Sequence, residues 1–148
     1  VAAAEGSPLT WRLLVGGTDP APRIARLAAG ATANVIAEPA RPDFRSLLTR
    51  AAVSVSMCGY NTALDLLQAG CPAVLVPFDD GAEVEQTLRA QSLAKLPGFT
   101  LLRQAELSGD ALARAAGEMA RTSRRGPSDF AMDGAAQSVA IAERMAAG

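Results

Sequence analysis

Short apolar runs and amphipathic segments alternate along this chain. The apolar runs are bounded by glycine, proline or polar residues, which is typical of strands. They lie at 10–17, 33–38, 52–57, 72–78 and 98–102. Between and after them, apolar residues recur at helical spacing. Helices are predicted over 23–29, 44–51 (capped by Asp43), 61–69, 82–96, 105–121 and 134–147.

This alternation predicts right-handed βαβ units and a mostly parallel sheet with helices on both faces. The run 52–57 is almost wholly small or apolar, as expected for a strand covered on both faces, and 72–78 is the most hydrophobic run. We therefore predict a Rossmann-like α/β domain over residues 1–122. Residues 123–148 are predicted to be a linker and a C-terminal helix that packs on the same domain.

Composition excludes several functions. The 14 basic and 15 acidic residues give a net charge of −1, which argues against a general nucleic-acid partner. The one basic cluster, 121–125, is interpreted as a solvated helix end matched to the helix dipole. The chain has no histidine, so a Ser-His-Asp triad and an HExxH zinc site are excluded within it. Cys58 and Cys71 lack metal-ligand spacing and are expected to be free, buried thiols.

No apolar run approaches the roughly 20 residues of a membrane span, and we identify no signal peptide. A cytoplasmic location is the expectation. The chain opens with Val1 and a segment that resembles the tail of a helix. It is therefore expected to be an excised part of a longer protein.

In open α/β sheets, ligands bind at the loops that follow the carboxyl ends of the strands. Neither a GxGxxG fingerprint after a strand nor a P-loop occurs. Gly16-Gly17-Thr18 follows the first strand and could bring the backbone close to a phosphate, with a plain turn as the alternative. No residues are proposed as metal ligands.

The stretch 58–62, CGYNT, is more informative. Gly59 is expected to allow a tight turn into the next helix, and Asn61 or Thr62 to cap it. The free N–H groups at such a helix start favour an anion. Asp65 lies one turn further on the same face and could accept hydrogen bonds from ribose hydroxyls. The alternative is that Asp65 only places negative charge near the helix start.

A third cluster, 79–86, joins four carboxylates and an amide where the strongest strand meets a long helix. Most are expected to cap the helix or to be solvated. Glu85 and Gln86 together offer the donors and acceptors that sugar hydroxyls require. A glycosidase is disfavoured, because these carboxylates share one helix start and do not face each other across a cleft.

The segment 59–96, GYNTALDLLQAGCPAVLVPFDDGAEVEQTLRAQSLAKL, resembles the C-terminal domain of family 28 (MurG-type) glycosyltransferases. It is most similar to a bacterial group of predicted glycosyltransferases, and the resemblance runs from about Trp11 to Leu102. It implies a GT-B enzyme, in which two Rossmann-like domains face each other and the C-terminal one binds the nucleotide-sugar donor. The donor is expected to be a UDP-sugar. No separate cofactor is implied.

The resemblance also implies residue roles. The diphosphate would contact Gly59, Tyr60, Asn61 and Thr62, and Gly17 joins this set from its own loop. Asp65 stands where the family has a ribose-binding glutamate. The pair Glu85 and Gln86 would contact the donor sugar, and Arg41 and Phe44 would lie near the base. The catalytic residue is not assigned, because such enzymes usually take their base from the N-terminal domain.

The family normally opens this domain with a central strand and a Gly-rich loop, which the chain is expected to lack. We therefore expect the chain alone to be inactive and to pair with the N-terminal acceptor domain of the same protein. The sheet edge left open would favour a homodimer or strand exchange. A non-catalytic α/β interaction or regulatory module is the main alternative. An epimerase of sugar nucleotides is disfavoured, since those enzymes rely on histidine.

Overall fold

A computed structural model describes residues 1–78, 84–126, 139 and 143–145. The strands β1–β5 are Trp11–Val15, Val35–Pro39, Ser54–Ser56, Ala73–Leu75 and Phe99–Leu101. The helices α1–α5 are Ala21–Ala29, Phe44–Arg50, Tyr60–Ala69, Glu85–Leu93 and Gly109–Ala120. Short 3-10 turns occupy Ala2–Ala4 and Gln104–Glu106. Strand and helix alternate in the predicted order from β1 to β5, which confirms the α/β class.

All pairings between the described strands are parallel, but the strands form two sheets. β1 pairs with β2, with Trp11 opposite Val35. β4 pairs with β3 on one side and β5 on the other, with Ala73 opposite both Ser54 and Phe99. The parallel Rossmann-like arrangement is thus confirmed, with the difference that the described strands do not join into one continuous sheet.

A cleft of about 970 Å³ is lined by residues of both sheets. β1 and β3 both contribute to it along their length, and Phe44 of α2 contributes an aromatic ring. Ser56 also lines the cleft, and its buried hydroxyl has no hydrogen-bond partner among the described residues. The cleft therefore lies where the two sheets present strand edges.

The hydrophobic core is centred on β4 and α3. Ala73, Val74, Leu75 and Leu66 are fully buried, and Phe99 packs beside them. Cys58 and Cys71 are free and fully buried, as predicted. Burial raises the pKa of both thiols, so both stay protonated at neutral pH.

Helix α3 ends at Gly70, a position that has no room for a side chain. Gly70 has φ of 62°, and a Cβ built on it would lie 2.2 Å from the carbonyl oxygen of Arg125. The predicted helix end is therefore confirmed. It also serves as a docking point, because the Arg125 N–H donates to the Gly70 carbonyl at 3.1 Å.

The interpretation of the basic cluster as a solvated helix end holds for Arg121, the exposed C-cap of α5, but was wrong for Arg124 and Arg125. Arg124 donates to the carbonyls of Leu48, Ala51 and Ala69 at 2.7, 2.6 and 3.2 Å. These are the orphan carbonyls at the C-terminal ends of α2 and α3, where a cation is favoured.

Arg125 lies deeper in the fold than Arg124. Its guanidinium stacks on the Phe99 ring at 3.6 Å and donates to the carbonyls of Leu66 and Cys71. Burial lowers the pKa of Arg125.

Two helices differ from the predictions by three residues or more at one or both ends. The helix predicted over 105–121 begins only at Gly109, because Ser108 caps it by accepting a hydrogen bond from the Ala111 N–H at 3.1 Å. The helix predicted over 82–96 is observed as Glu85–Leu93, and 79–83 lie outside the described residues. The terminal helix predicted over 134–147 also lies outside them, except for 139 and 143–145.

Within the part of the chain that the structure describes, no helix is both long and apolar enough to span a membrane.

Candidate functional site

Helix α3 begins directly after β3 with an uncapped N-terminus. Its N-cap is Gly59, so the prediction that Asn61 or Thr62 caps the helix was wrong; both lie inside the first turn. The helical hydrogen-bond ladder begins with the Ala63 N–H donating to the Gly59 carbonyl at 2.9 Å. No side chain caps this end. The first-turn amides are therefore outside the ladder, and the positive end of the helix dipole faces outward.

Gly59 is not required by backbone conformation. Its φ of −62° and ψ of 151° are open to any residue, so the expected tight glycine turn is not seen. A Cβ at Gly59 would meet nothing within 4 Å. The glycine instead leaves free space over the helix start, which a ligand could occupy at close range to the backbone.

Arg89 of α4 connects the elements around this helix start. Its Nη1 donates to the Cys58 carbonyl at 2.7 Å, and its Nη2 contacts the Glu85 carboxylate. Its guanidinium also lies 5.7 Å from the centroid of the Tyr60 ring. Arg89 was not among the predicted site residues. Its spacing of four residues from Glu85 was the signal in the sequence that could have identified it.

Glu85 and Gln86 occupy the first turn of α4, as predicted. The Gln86 Oε1 accepts a hydrogen bond from the Phe78 N–H at 3.3 Å, which fixes the end of the β4 segment against α4. Glu85 is 75% exposed although it pairs with Arg89. Its second carboxylate oxygen therefore remains accessible to a hydroxyl donor.

Asp65 lies on α3 and is already paired. The Arg45 Nε lies 2.6 Å from the Asp65 Oδ1, but the geometry is that of an ion pair without a well-aligned hydrogen bond. The Asp65 side chain is 12% exposed and that of Arg45 is 75% exposed. A hydroxyl ligand would therefore share the carboxylate with Arg45 or displace a side chain that is mostly in solvent.

Arg41 and Phe44 lie on either side of the start of α2. Arg41 donates to both carboxylate oxygens of Asp43 at 2.8 Å, and its Nη1 lies 3.7 Å from Glu38. Glu38 also binds Arg12 at 2.6 Å. The hydrogen bond from Arg41 lowers the pKa of Asp43. Asp43 is the N-cap of α2 by position, but its side chain accepts no capping bond because it pairs with Arg41.

Gly17 lies in the β1–α1 loop with φ of 110°, a conformation that favours glycine. The Arg23 Nη1 donates to the neighbouring Gly16 carbonyl at 3.1 Å, which closes this loop.

Five of the predicted site residues fall into two groups. Arg41, Phe44 and Thr62 line the cleft between the sheets, as does Arg23 beside Gly17. Tyr60 and Glu85 meet at Arg89. No group of three potential metal ligands occurs among the described residues.

Parallel strands, flanking helices and polar loops at their carboxyl ends define a Rossmann-like domain of the kind found in GT-B glycosyltransferases. Residues 13–145 match the family model for the glycosyltransferase family 28 C-terminal domain. The chain therefore belongs to this family, which confirms the predicted resemblance.

Similar proteins agree with this assignment. Segments of 104 and 86 residues are 35% and 36% identical to UDP-N-acetylglucosamine--N-acetylmuramyl-(pentapeptide) pyrophosphoryl-undecaprenol N-acetylglucosamine transferases of Solibacter usitatus and Hydrogenovibrio crunogenus. They cover 66% and 58% of this chain, and 28% and 24% of those relatives. The crystal structure of Acinetobacter baumannii MurG superposes with a TM-score of 0.63 at 21% identity, over 80% of this chain and 38% of that one. The chain thus spans about a quarter of the length of the two transferases from Solibacter usitatus and Hydrogenovibrio crunogenus.

Proposed function

We propose that this domain binds a nucleoside diphosphate sugar as the donor half of a glycosyltransferase that transfers a hexosyl group to an acceptor hydroxyl. The observation that carries the proposal is the uncapped start of α3 with open space above Gly59, in a domain of this family. The names of the relatives, which are UDP-N-acetylglucosamine transferases, favour UDP as the nucleotide.

The diphosphate is assigned to the α3 N-terminus. The first-turn amides of Tyr60, Asn61 and Thr62 lie outside the helical ladder, and the helix dipole adds a favourable field for an anion. Gly59 allows the phosphates to approach the backbone. Gly17, on the neighbouring loop, is proposed as a further backbone contact, since its left-handed conformation requires glycine.

The remaining parts of the donor are assigned to three side-chain groups. Asp65 accepts from the ribose hydroxyls once Arg45 shifts toward solvent. Glu85 and Gln86 bind the sugar, with the exposed Glu85 oxygen as acceptor and the Gln86 amide nitrogen as donor. Arg41 and Phe44 lie near the base, where the Phe44 ring offers a stacking surface.

The proposed chemistry is attack of an acceptor hydroxyl on the anomeric carbon, with the nucleoside diphosphate as leaving group. The bond from the anomeric carbon to the diphosphate oxygen breaks, and the α3 amides stabilise the negative charge that develops on it. The proton of the hydroxyl passes to a base that we assign to the N-terminal acceptor domain of the full-length protein. We therefore propose that the chain alone does not transfer sugar, and a turnover assay on it tests this.

Calorimetric titration of the chain with UDP, GDP and TDP tests donor binding. We expect selective binding of UDP, weakened by Asp65→Ala and by Gly59→Val, which fills the open space with a side chain. Asp110→Ala removes the first-turn carboxylate of α5 and is the matched control. A folded chain that binds none of the three nucleotides would refute the proposal.

The second candidate is a non-catalytic interaction or regulatory module. It is favoured by the internal pairing of Asp65 with Arg45 and of Arg41 with Asp43, which satisfies these charges without a ligand. On this proposal Asp65, Glu85 and Gln86 are freely replaceable. Unchanged activity of the full-length protein after all three are replaced would favour this candidate.

We also propose that the cleft between β1 and β3 can receive an extended strand from a second copy of the chain. Both strands present edges to it, and an unpaired edge recruits further strands. Light scattering over a concentration series tests this, with Val55→Lys as the variant that charges the β3 edge. A monomer at all concentrations would contradict the proposal. The predicted cytoplasmic location remains a prediction, which fractionation of cells that express the full-length protein checks.

A further inference from the structure

Arg89 is the one side chain among the described residues whose contacts join α4, the β3–α3 loop and the first residue of α3. It lies 31 positions from Cys58 in sequence but donates to its carbonyl at 2.7 Å. Its side chain is only 20% exposed, whereas that of its ionic partner Glu85 is 75% exposed. The guanidinium is thus held in the protein by contacts that converge on one helix start.

The bond to Cys58 fixes a peptide plane. In a trans peptide the carbonyl of one residue and the N–H of the next point in opposite directions. The structure contains no cis peptide bond among the residues it describes. When Arg89 holds the Cys58 carbonyl toward α4, the Gly59 N–H is therefore directed away from α4. This is the amide that immediately precedes the uncapped first turn of α3.

The planar fork of arginine can make both contacts at once. Nη1 donates to the carbonyl while Nη2 contacts the Glu85 carboxylate, and the ring of Tyr60 lies beside the same group. A lysine presents a compact point charge and cannot span two acceptors with a fixed geometry. The positive charge also offsets that of Glu85, which would otherwise repel a nearby anion.

We propose that Arg89 is a positioning residue of the donor site: it orients the Cys58–Gly59 peptide for the diphosphate and holds Glu85 in place for the sugar. This inference rests on the proposed donor function. It assigns Arg89 no contact with the reacting atoms.

The test compares Arg89→Lys and Arg89→Gln with wild type and with Arg114→Gln, an exposed arginine on α5. UDP affinity is measured by calorimetry, the melting temperature by circular dichroism, and the Gly59 amide by ¹⁵N–¹H NMR. We expect both Arg89 variants to bind UDP roughly tenfold more weakly, because small misplacements of binding groups are costly. The Gly59 resonance should shift in both variants without UDP, whereas Arg114→Gln should match wild type.

The outcomes separate the two proposals. If wild type does not bind UDP, the donor function fails and the role of Arg89 fails with it. If wild type binds UDP and both Arg89 variants bind UDP as tightly as wild type does, only the role of Arg89 is overturned. If Arg89→Lys restores full affinity, charge alone is sufficient and the positioning role is overturned. Should Arg89→Gln not fold, the comparison of Arg89→Lys with wild type still decides the question.

Discussion

The contacts of Arg124 predict a large stability cost for removing one side chain. Its guanidinium donates to three carbonyls at the ends of α2 and α3, one of them part-buried and two exposed. A part-buried hydrogen bond from a charged group contributes about 1.5 kcal/mol to the free energy of unfolding. Each of the two exposed hydrogen bonds contributes about 0.5 kcal/mol, because solvent screens it. We therefore expect Arg124→Ala to lower the free energy of unfolding by about 2.5 kcal/mol. For a domain of this size that corresponds to a fall of roughly 8 °C in melting temperature.

Urea denaturation followed by circular dichroism measures this cost. Arg121→Ala is the matched control, because Arg121 belongs to the same basic cluster but is exposed and makes no side-chain hydrogen bond among the described residues. Arg124→Lys should recover only part of the loss, since an ammonium cannot reproduce the planar fork. If Arg124→Ala and Arg121→Ala unfold within about 0.5 kcal/mol of each other, the hydrogen bonds do not stabilise the domain.

Three further predictions concern the core and the α3 end. Gly70→Ala should destabilise the chain by about 2 kcal/mol or more, because φ is 62° and the new Cβ would clash with the Arg125 carbonyl oxygen. Gly117→Ala, in the middle of α5 where a Cβ meets nothing, should stabilise the chain slightly. The urea midpoints of the two variants test this difference. Leu66→Ala should cost about 2–5 kcal/mol, since Leu66 is fully buried in the core, and thermal melts against a surface variant check this. The pKa values of Cys58 and Cys71 are raised in the folded state. The two protonated thiols therefore make their full contribution to the free energy of unfolding below the ordinary thiol pKa of 9.0, and this contribution is lost as the pH rises beyond it. Stability should therefore fall above about pH 9 less steeply in a double Cys→Ala variant than in wild type, and an unchanged slope would show that the thiols do not titrate.

The strand and helix order from β1 to β5 could be predicted because each element carries its own hydrophobic period. The end of α3 at Gly70 could also be predicted, since a glycine between a helical segment and an apolar strand indicates a helix end in the left-handed conformation. The caps were less predictable. The side chain of Asp43 binds Arg41 instead of capping α2. Which of these two contacts Asp43 makes depends on where the β2–α2 loop places the arginine.

The parts of the candidate site that escaped prediction depend on long-range contacts. The bond from Arg89 to Cys58 spans 31 residues, and that from Arg124 to Leu48 spans 76. No periodicity or propensity encodes such pairs, because they arise only when the fold brings segments that are distant in sequence together. The basic cluster at 121–125 was therefore interpreted from its place at a predicted helix end as a solvated C-terminus, although two of its arginines bind the ends of other helices.

The uneven distribution of the core implies that the chain has two levels of local stability. The continuous core cluster draws its buried members from residues 48–99, whereas α1 has no buried residue and β1 contributes only Val15 to the buried set. Amide hydrogens of β1 and β2 should exchange with solvent through local openings, while those of β4 should exchange only on global unfolding. A partner that fills the cleft would therefore act as a folding ligand for the first half of the domain, and its binding would be visible as slowed exchange there.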